Sequence, residues 1–388
     1  MTVVDEAAGL ESPAPPVATR FPALDGLRGL AAFAVVSTHV GFQTGRSAKP
    51  GALGALLARG DFGVTVFFLL SGFLLYRPLS RTAAAVPTYA RRRALRVLPV
   101  YYVAVVVAFL LLPGNDHVPG NEWWKHLLLV QVYTDTQLPD GVTQMWSLCT
   151  EVAFYVALPV FAWCVVRIRR QRHDSLGGTT DLVALGLLFT VGVVWTFLAT
   201  DQGFLYATAR LWLPGYADWF ALGMGLAVLH HRASRPTHDR LSSALRELGA
   251  APGTCLSIAV LILLLAATPL GGPRLLDPPT TFEAVTKHVL YGLSALFFLL
   301  PAVFAPAGGT VWTRVLASRP LHAVGQVSYS VFALHLVVLY YVVKHVAGGP
   351  FRGHFGTVWL TTVVLTLVVS TVSYHLVEKP MIALGRRR

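Results

Sequence analysis

The chain has 388 residues, of which 54% are hydrophobic and 13% charged, with a mean hydropathy of +0.59 and a formal net charge of +12. An ordinary soluble domain carries about 25% charged residues, so the composition excludes that class and gives a polytopic membrane chain. The basic excess does not point to nucleic acid, because the cations are spread over successive loops and no aromatic-studded soluble domain carries them.

Residues 1–20 are acidic and proline-containing, with no basic n-region and no small-residue cleavage site. They read as a disordered cytoplasmic tail, without a removable signal peptide. Apolar stretches of about 20 residues then predict an all-α bundle of about ten transmembrane helices, near 22–44, 60–77, 96–112, 146–167, 181–200, 211–231, 253–270, 285–306, 323–346 and 356–378. The apolar piece 123–133 is too short to span and reads as interfacial or re-entrant. The longest stretches between spans, 113–145 and 232–252, are too short for an independent catalytic domain. Any chemistry therefore belongs to a membrane domain over 21–380, followed by a basic cytoplasmic tail over 381–388. With a cytoplasmic N-terminus, 21 of the 31 Lys and Arg residues fall inside and 9 outside. Both termini are expected to be cytoplasmic.

The first span carries Arg28 and, eleven residues on, His39. Eleven residues turn a helix through about 1100°, so both side chains project from one face, roughly 16 Å apart along the axis, with Asp25 near the same face. Snorkelling to headgroups explains Arg28 alone, but an imidazole deep in an apolar segment is a functional-site candidate by default. In the second span Gly63, Ser71 and Gly72 allow either close helix approach or room beside a cavity. Arg91, Arg92, Arg93 and Arg96 follow at a helix entrance. There they either anchor the chain to anionic lipid or clamp the phosphates of a cytoplasmic donor, and charge alone does not separate the two.

The fourth span opens with Trp146 and places Glu151, Phe154 and Tyr155 in its first turns. Glu151 caps its own helix or, lying nearer the external side like His39, meets that imidazole and fixes its tautomer. Late in the chain, His335 and His375 read as interhelical hydrogen bonders. The run Glu378, Lys379, Pro380 reads as a helix stop with an interfacial ion pair. Cys149 and Cys164 lie about 22 Å apart on one helix and cannot pair. No metal or nucleotide-binding motif is present in a suitable context, so no metal is expected.

Taken together these pieces resemble the acyltransferase 3 family of bacterial integral-membrane O-acyltransferases, over nearly the whole chain. Asp25, Arg28 and His39 reproduce its opening Gly-Leu-Arg-Gly element with an Arg-x10-His spacing, and residues 67–73 match its FF-x-x-SGF element. Arg92, Arg93, Arg96 and Pro99 match an arginine-rich stretch, and residues 146–155 match W-S-L-x-x-E-x-x-F-Y. Residues 328–330 and 374–380 match two tail elements. Two departures, Val152 and the run Phe332, Ala333, Leu334, are expected to tune the acceptor pocket.

The resemblance implies transfer of an acyl group, commonly acetyl, from acyl-CoA as co-substrate to a hydroxyl of a sugar or glycosylated acceptor at the bacterial inner membrane, with no tightly bound cofactor. It implies catalytic roles for His39, Glu151 and Arg28. His39 would deprotonate the acceptor or pass the acyl group on, Glu151 would orient it, and Arg28 would hold donor phosphate or the thioester oxygen. Asp25, Ser71, Arg92, Arg93, Arg96, Trp146, Tyr155 and Tyr329 would line the substrate sites. It also implies the stand-alone form, without the SGNH esterase-like domain that many relatives append. A proton-coupled transporter is the alternative, since Arg, His and Glu within spans also build proton relays.

Overall fold

The computed structural model describes residues 21–80, 86–116, 118–134, 138–201, 208–235 and 239–386; the N-terminal tail over 1–20 lies outside them. The regular elements among the described residues are all helical. In chain order they are α1 (Ala23–Gln43), α2 (Ala52–Leu57), α3 (Phe62–Leu79), α4 (Val86–Leu111) and α5 (Trp123–Leu127). Then come α6 (Trp146–Gln171), α7 (Thr179–Thr200), α8 (Ala217–Ala233), α9 (Arg240–Ala250) and α10 (Pro252–Ala266). The chain ends with α11 (Thr281–Val303), α12 (Val311–Leu316), α13 (Arg319–Val342), α14 (Phe355–Ser373) and α15 (Lys379–Arg386). Each expected span overlaps a helix. By length and composition seven are apolar enough to cross a membrane, and an eighth crossing follows if α9 and α10, bent by 87°, form one broken span. Of the others, α8 has only 17 residues, and α1 carries Asp25, Arg28 and His39.

Close backbone approach sets the centre of the bundle. A Cβ on Gly26 would strike the carbonyl of Leu316, and one on Gly325 would strike that of Asp25, so α1 lies directly against α12 and α13. Gly72 and Gly223 meet the carbonyls of Phe220 and Leu69 in the same way and lock α3 onto α8. Ser71, beside Gly72, faces a cavity instead. The two uses expected of small residues in that span are thus divided between neighbours. Phe220 stacks on Phe154 at 3.9 Å and on Phe68 at 4.6 Å, joining α8 to α6 and α3. By contrast only 11% of the apolar window of α7 is buried within the protein, which leaves its remaining face to lipid.

Two arginines that count as loop charges in the sequence are structural. Arg169 donates to both carboxylate oxygens of buried Asp181 at 3.1 and 3.2 Å and to the Ser80 carbonyl at 2.7 Å. Arg59 is 2% exposed and donates to the carbonyls of Ala266, Pro273, Gly271 and Gly272 at 2.6–2.9 Å, tying the start of α3 to the α10–α11 connection.

The end of the chain departs from expectation. Residues Tyr374–Glu378 form a π-turn, and the helix continues as α15 rather than stopping. The wider turn directs Glu378 inward, where it is 1% exposed and accepts from the Ser330 hydroxyl at 2.9 Å instead of pairing with Lys379 at an interface. Pro380 follows directly on the π-turn, where the i→i−4 hydrogen-bond ladder is already shifted, so its missing N–H is tolerated there. His375 is exposed and stacks edge-on against Tyr374 rather than bridging helices.

Candidate active site

A small cavity of about 80 Å³ lies inside the bundle between α1, α3, α4, α6 and α13. It gathers seven residues singled out in the sequence: Arg28, Ser71, Arg93, Arg96, Glu151, Tyr155 and Tyr329. Four charged side chains, Arg28, Arg93, Arg96 and Glu151, stand in an otherwise largely apolar wall. Glu151 accepts from the Ser71 hydroxyl and, at 2.8 Å, from the Tyr155 hydroxyl. Arg28 donates to Asp25 at 3.3 Å, and Asp25 also lies 3.3 Å from His322. Arg28 thus has one anchor behind it while facing Glu151 and Arg96 across the cavity. Tyr329 donates to the Val97 carbonyl at 2.7 Å, fixing α13 against α4.

His39 is not in this cavity. Its partner is His335 of α13, whose Nε2 lies 3.1 Å from His39 Nδ1. Glu151 was expected to fill that place; α6, however, opens deep in the bundle, so Glu151 is level with Ser71, the tenth of eighteen residues in α3. The imidazole pair fixes its own proton positions. His335 Nδ1 lies 2.8 Å from the Phe332 carbonyl, which can only accept, so Nδ1 carries the proton and Nε2 is left as an acceptor. His39 Nδ1 must then donate, to His335 Nε2 and to the Val35 carbonyl at 2.9 Å. The remaining nitrogen, His39 Nε2, makes no hydrogen bond among the described residues and keeps its lone pair free. Gln144 secures this arrangement by donating to the carbonyls of Phe332 and Ala333 at 3.3 and 3.2 Å.

His39 borders a cavity of about 960 Å³, lined also by Thr38, Phe42, Asp61, Asp140, Lys287 and Tyr340. Its size falls in the range of small-molecule sites. Phe67 and Phe332, whose ring centroids are 6.1 Å apart, stand in the wall of the small cavity. Phe332 is three residues from His335, so about 4.5 Å of helix rise along α13 separates the wall of the small cavity from the imidazole pair.

Trp146 lies elsewhere. It faces a third cavity of about 640 Å³ with Tyr216 and Trp219, and shares Asp61 and Lys287 with the His39 compartment. Its wall includes His288, absent from the sequence reading, whose Nε2 lies 2.8 Å from the buried carboxylate of Asp218. Arg92 is exposed on α4, outside all of these walls. His335, read from the sequence as an interhelical hydrogen bonder, is one; Asp218 and His288 were legible in principle, because each is an ionisable group within an apolar segment, the criterion that picks out His39.

A family model described as an acyltransferase domain, that of the acyltransferase 3 family, matches residues 21–375. The chain belongs to this family. It is 26% identical over 395 aligned residues to the putative peptidoglycan O-acetyltransferase YrhL of Bacillus subtilis, covering 94% of this chain and 55% of that protein. The peptidoglycan O-acetyltransferase OatA of Listeria monocytogenes is 24% identical, covering 93% and 55%. The acyltransferase MdmB of Streptomyces mycarofaciens is 32% identical over 168 residues, 41% of this chain and 43% of that one. The chain therefore spans about half the length of these curated relatives. No solved structure matches it.

Proposed function

We propose that this family member is an O-acyltransferase of the inner membrane, with about ten spans and both termini cytoplasmic. In this reading it moves an acyl group, acetyl foremost, from acyl-CoA to a hydroxyl of a glycosylated acceptor such as a macrolide or a cell-surface glycan. The relatives named peptidoglycan O-acetyltransferases support a glycan hydroxyl as acceptor. The single observation that carries the reading is the His39 imidazole, held by His335 at the wall of a large cavity with no partner for its Nε2 among the described residues.

A hydroxyl is a poor nucleophile at neutral pH, and a histidine positioned as general base is a common remedy. The acceptor oxygen attacks the thioester carbonyl while its proton passes to His39 Nε2. The new C–O bond forms, the C–S bond breaks, and the leaving thiolate takes the proton back from the imidazolium. His335 Nε2 and the Val35 carbonyl accept from Nδ1 throughout, so protonation at Nε2 needs no ring rotation. Arg93 and Arg96 draw the anionic donor in, and Arg28 holds a donor phosphate or the thioester oxygen. Glu151, kept in place by Ser71 and Tyr155, offsets this run of like charge so that the cavity can form without the donor.

The test is CoA release from acetyl-CoA by purified protein offered a panel of glycosylated acceptors. The wild type is expected to show acceptor-dependent release; substrate flux without thioester loss would overturn the reading in favour of a transporter.

A further inference from the structure

The third cavity, of about 640 Å³, has two kinds of polar side chain in its wall. Some are already committed within the protein. Trp219 donates from Nε1 to the His288 carbonyl at 3.0 Å and stacks on the His288 ring at 4.3 Å. Tyr291 donates to Asp61 at 2.6 Å, and Lys287 pairs with the same carboxylate at 2.7 Å. Others are uncommitted. Trp146 Nε1, the Tyr216 hydroxyl, the Arg210 guanidinium and the Asp201 carboxylate make no hydrogen bond among the described residues. His288 adds one more group of this kind. Its Nε2 donates to the Asp218 carboxylate, which leaves Nδ1 as an acceptor with no partner among the described residues.

The uncommitted groups select their ligand. The indole N–H and the guanidinium donate, the carboxylate and the imidazole nitrogen accept, and the phenol does either. An anion would answer only the donors and a cation only the acceptors. Formal charge leads to the same place, because Asp61 and Asp201 balance Lys287 and Arg210 in this wall. A neutral ligand bearing several hydroxyls answers both sets, since each hydroxyl donates and accepts. The rings decide its shape. Trp146 and Tyr216 lie 5.3 Å apart at a tilt of 31°, and Tyr216 leads on to Trp219 at 5.0 Å. Trp146 and Tyr216 are only half-buried, and each couples an apolar face to an unpaired polar tip. A pyranose ring has the matching form, an apolar C–H face edged by hydroxyls. The volume falls in the range of small-molecule sites. On the topology proposed above, the end of α7 and the starts of α6, α8 and α11, which frame this cavity, lie on the external side, where glycans are met.

We infer that the third cavity is a carbohydrate-binding site, taking a neutral pyranose ring against Trp146 and Tyr216 with Arg210, Asp201 and His288 Nδ1 serving its hydroxyls. The inference goes beyond the transfer reading. No step of the transfer is placed here, and the site stands on its own wall without a passage to either of the other cavities.

The experiment is a saturation-transfer NMR titration of the full chain in lipid nanodiscs with glucose and with N-acetylglucosamine, in the absence of any thioester. Choline and sulfate serve as competing cation and anion. The expected result is saturable binding of at least one sugar, undiminished by equimolar choline or sulfate. Trp146→Ala and Arg210→Ala should each weaken it at least tenfold, while His39→Ala leaves it within twofold. Arg210 is exposed and makes no hydrogen bond among the described residues, so Arg210→Ala reads the site even if Trp146→Ala lowers the thermal midpoint. The assignment is overturned if neither sugar binds saturably, if choline or sulfate displaces the sugar, or if Arg210→Ala loses less than tenfold in affinity. A loss beyond twofold in His39→Ala also overturns it, by moving the sugar to the other cavity. Because no thioester is present, failure of the acyl-CoA reading would leave these outcomes unchanged, and failure here would leave that reading standing.

Discussion

Arg59 and Arg28 are both arginines inside a membrane bundle, and their surroundings differ sharply. Arg59 is 2% exposed and saturated by four carbonyls at 2.6–2.9 Å. Arg28 makes one side-chain hydrogen bond among the described residues, to Asp25 at 3.3 Å, and turns toward a cavity shared with Glu151 and Arg96. A desolvated guanidinium requires partners. Where the fold supplies them all, the residue is a clamp. Where the fold supplies one and leaves a space, the remaining donors are available to a ligand.

The comparison can be broken at either residue. Arg59→Ala leaves four carbonyls without their donor and is expected to cost at least about 3 kcal/mol, read as a large drop in the thermal midpoint of the purified protein. Lys at this position restores only part of it, because an ammonium cannot fork toward four oxygens. For Arg28→Ala the midpoint should hold while acetyl-CoA affinity falls by roughly tenfold or more, the scale of one charge-assisted hydrogen bond. An equal loss of midpoint in the two variants would erase the distinction. Tyr155→Phe removes one of the two hydroxyls that hold Glu151 and is expected to slow transfer by about fivefold at unchanged midpoint.

The smallest effect lies outside the membrane. The Asp239 carboxyl, which caps α9, is held at about 2, chiefly by the backbone N–H of Ser242. A lowered folded-state value gives stability that is present above the ordinary carboxylate range and is lost as pH falls toward about 2. Asp239→Ala should therefore lower the midpoint slightly at pH 7. The gap from wild type should close between about pH 4 and pH 2.

Much of this was legible in local sequence. The apolar runs gave the helices, and Arg28, His39, Glu151 and Ser71 stood out as polar or small groups within them. Contacts remote in sequence were not legible. His335 meets His39 across 296 positions, and nothing near either residue encodes that α1 packs on α13 rather than against α6. Arg59 reads as one more external loop charge, because its acceptors are backbone carbonyls more than 200 residues away, and carbonyls have no sequence signature. Glu378 was misread for a related reason: Glu-Lys-Pro is a plausible helix stop, and only the π-turn before it directs the carboxylate inward. The placements of Trp146, in the wall of a third cavity, and of Arg92, exposed on α4, likewise follow from the fold and not from their motif neighbours.

The central claim is that donor binding and proton abstraction occupy two compartments, and it is tested most directly in His39→Ala by measuring acetyl-CoA affinity beside the rate of acetyl transfer on the same preparation. The account predicts an affinity within twofold of wild type and a transfer rate lower by a factor of about 100 or more, the usual contribution of a general base. A variant that transfers at the wild-type rate, or that loses donor affinity in step with rate, would contradict it.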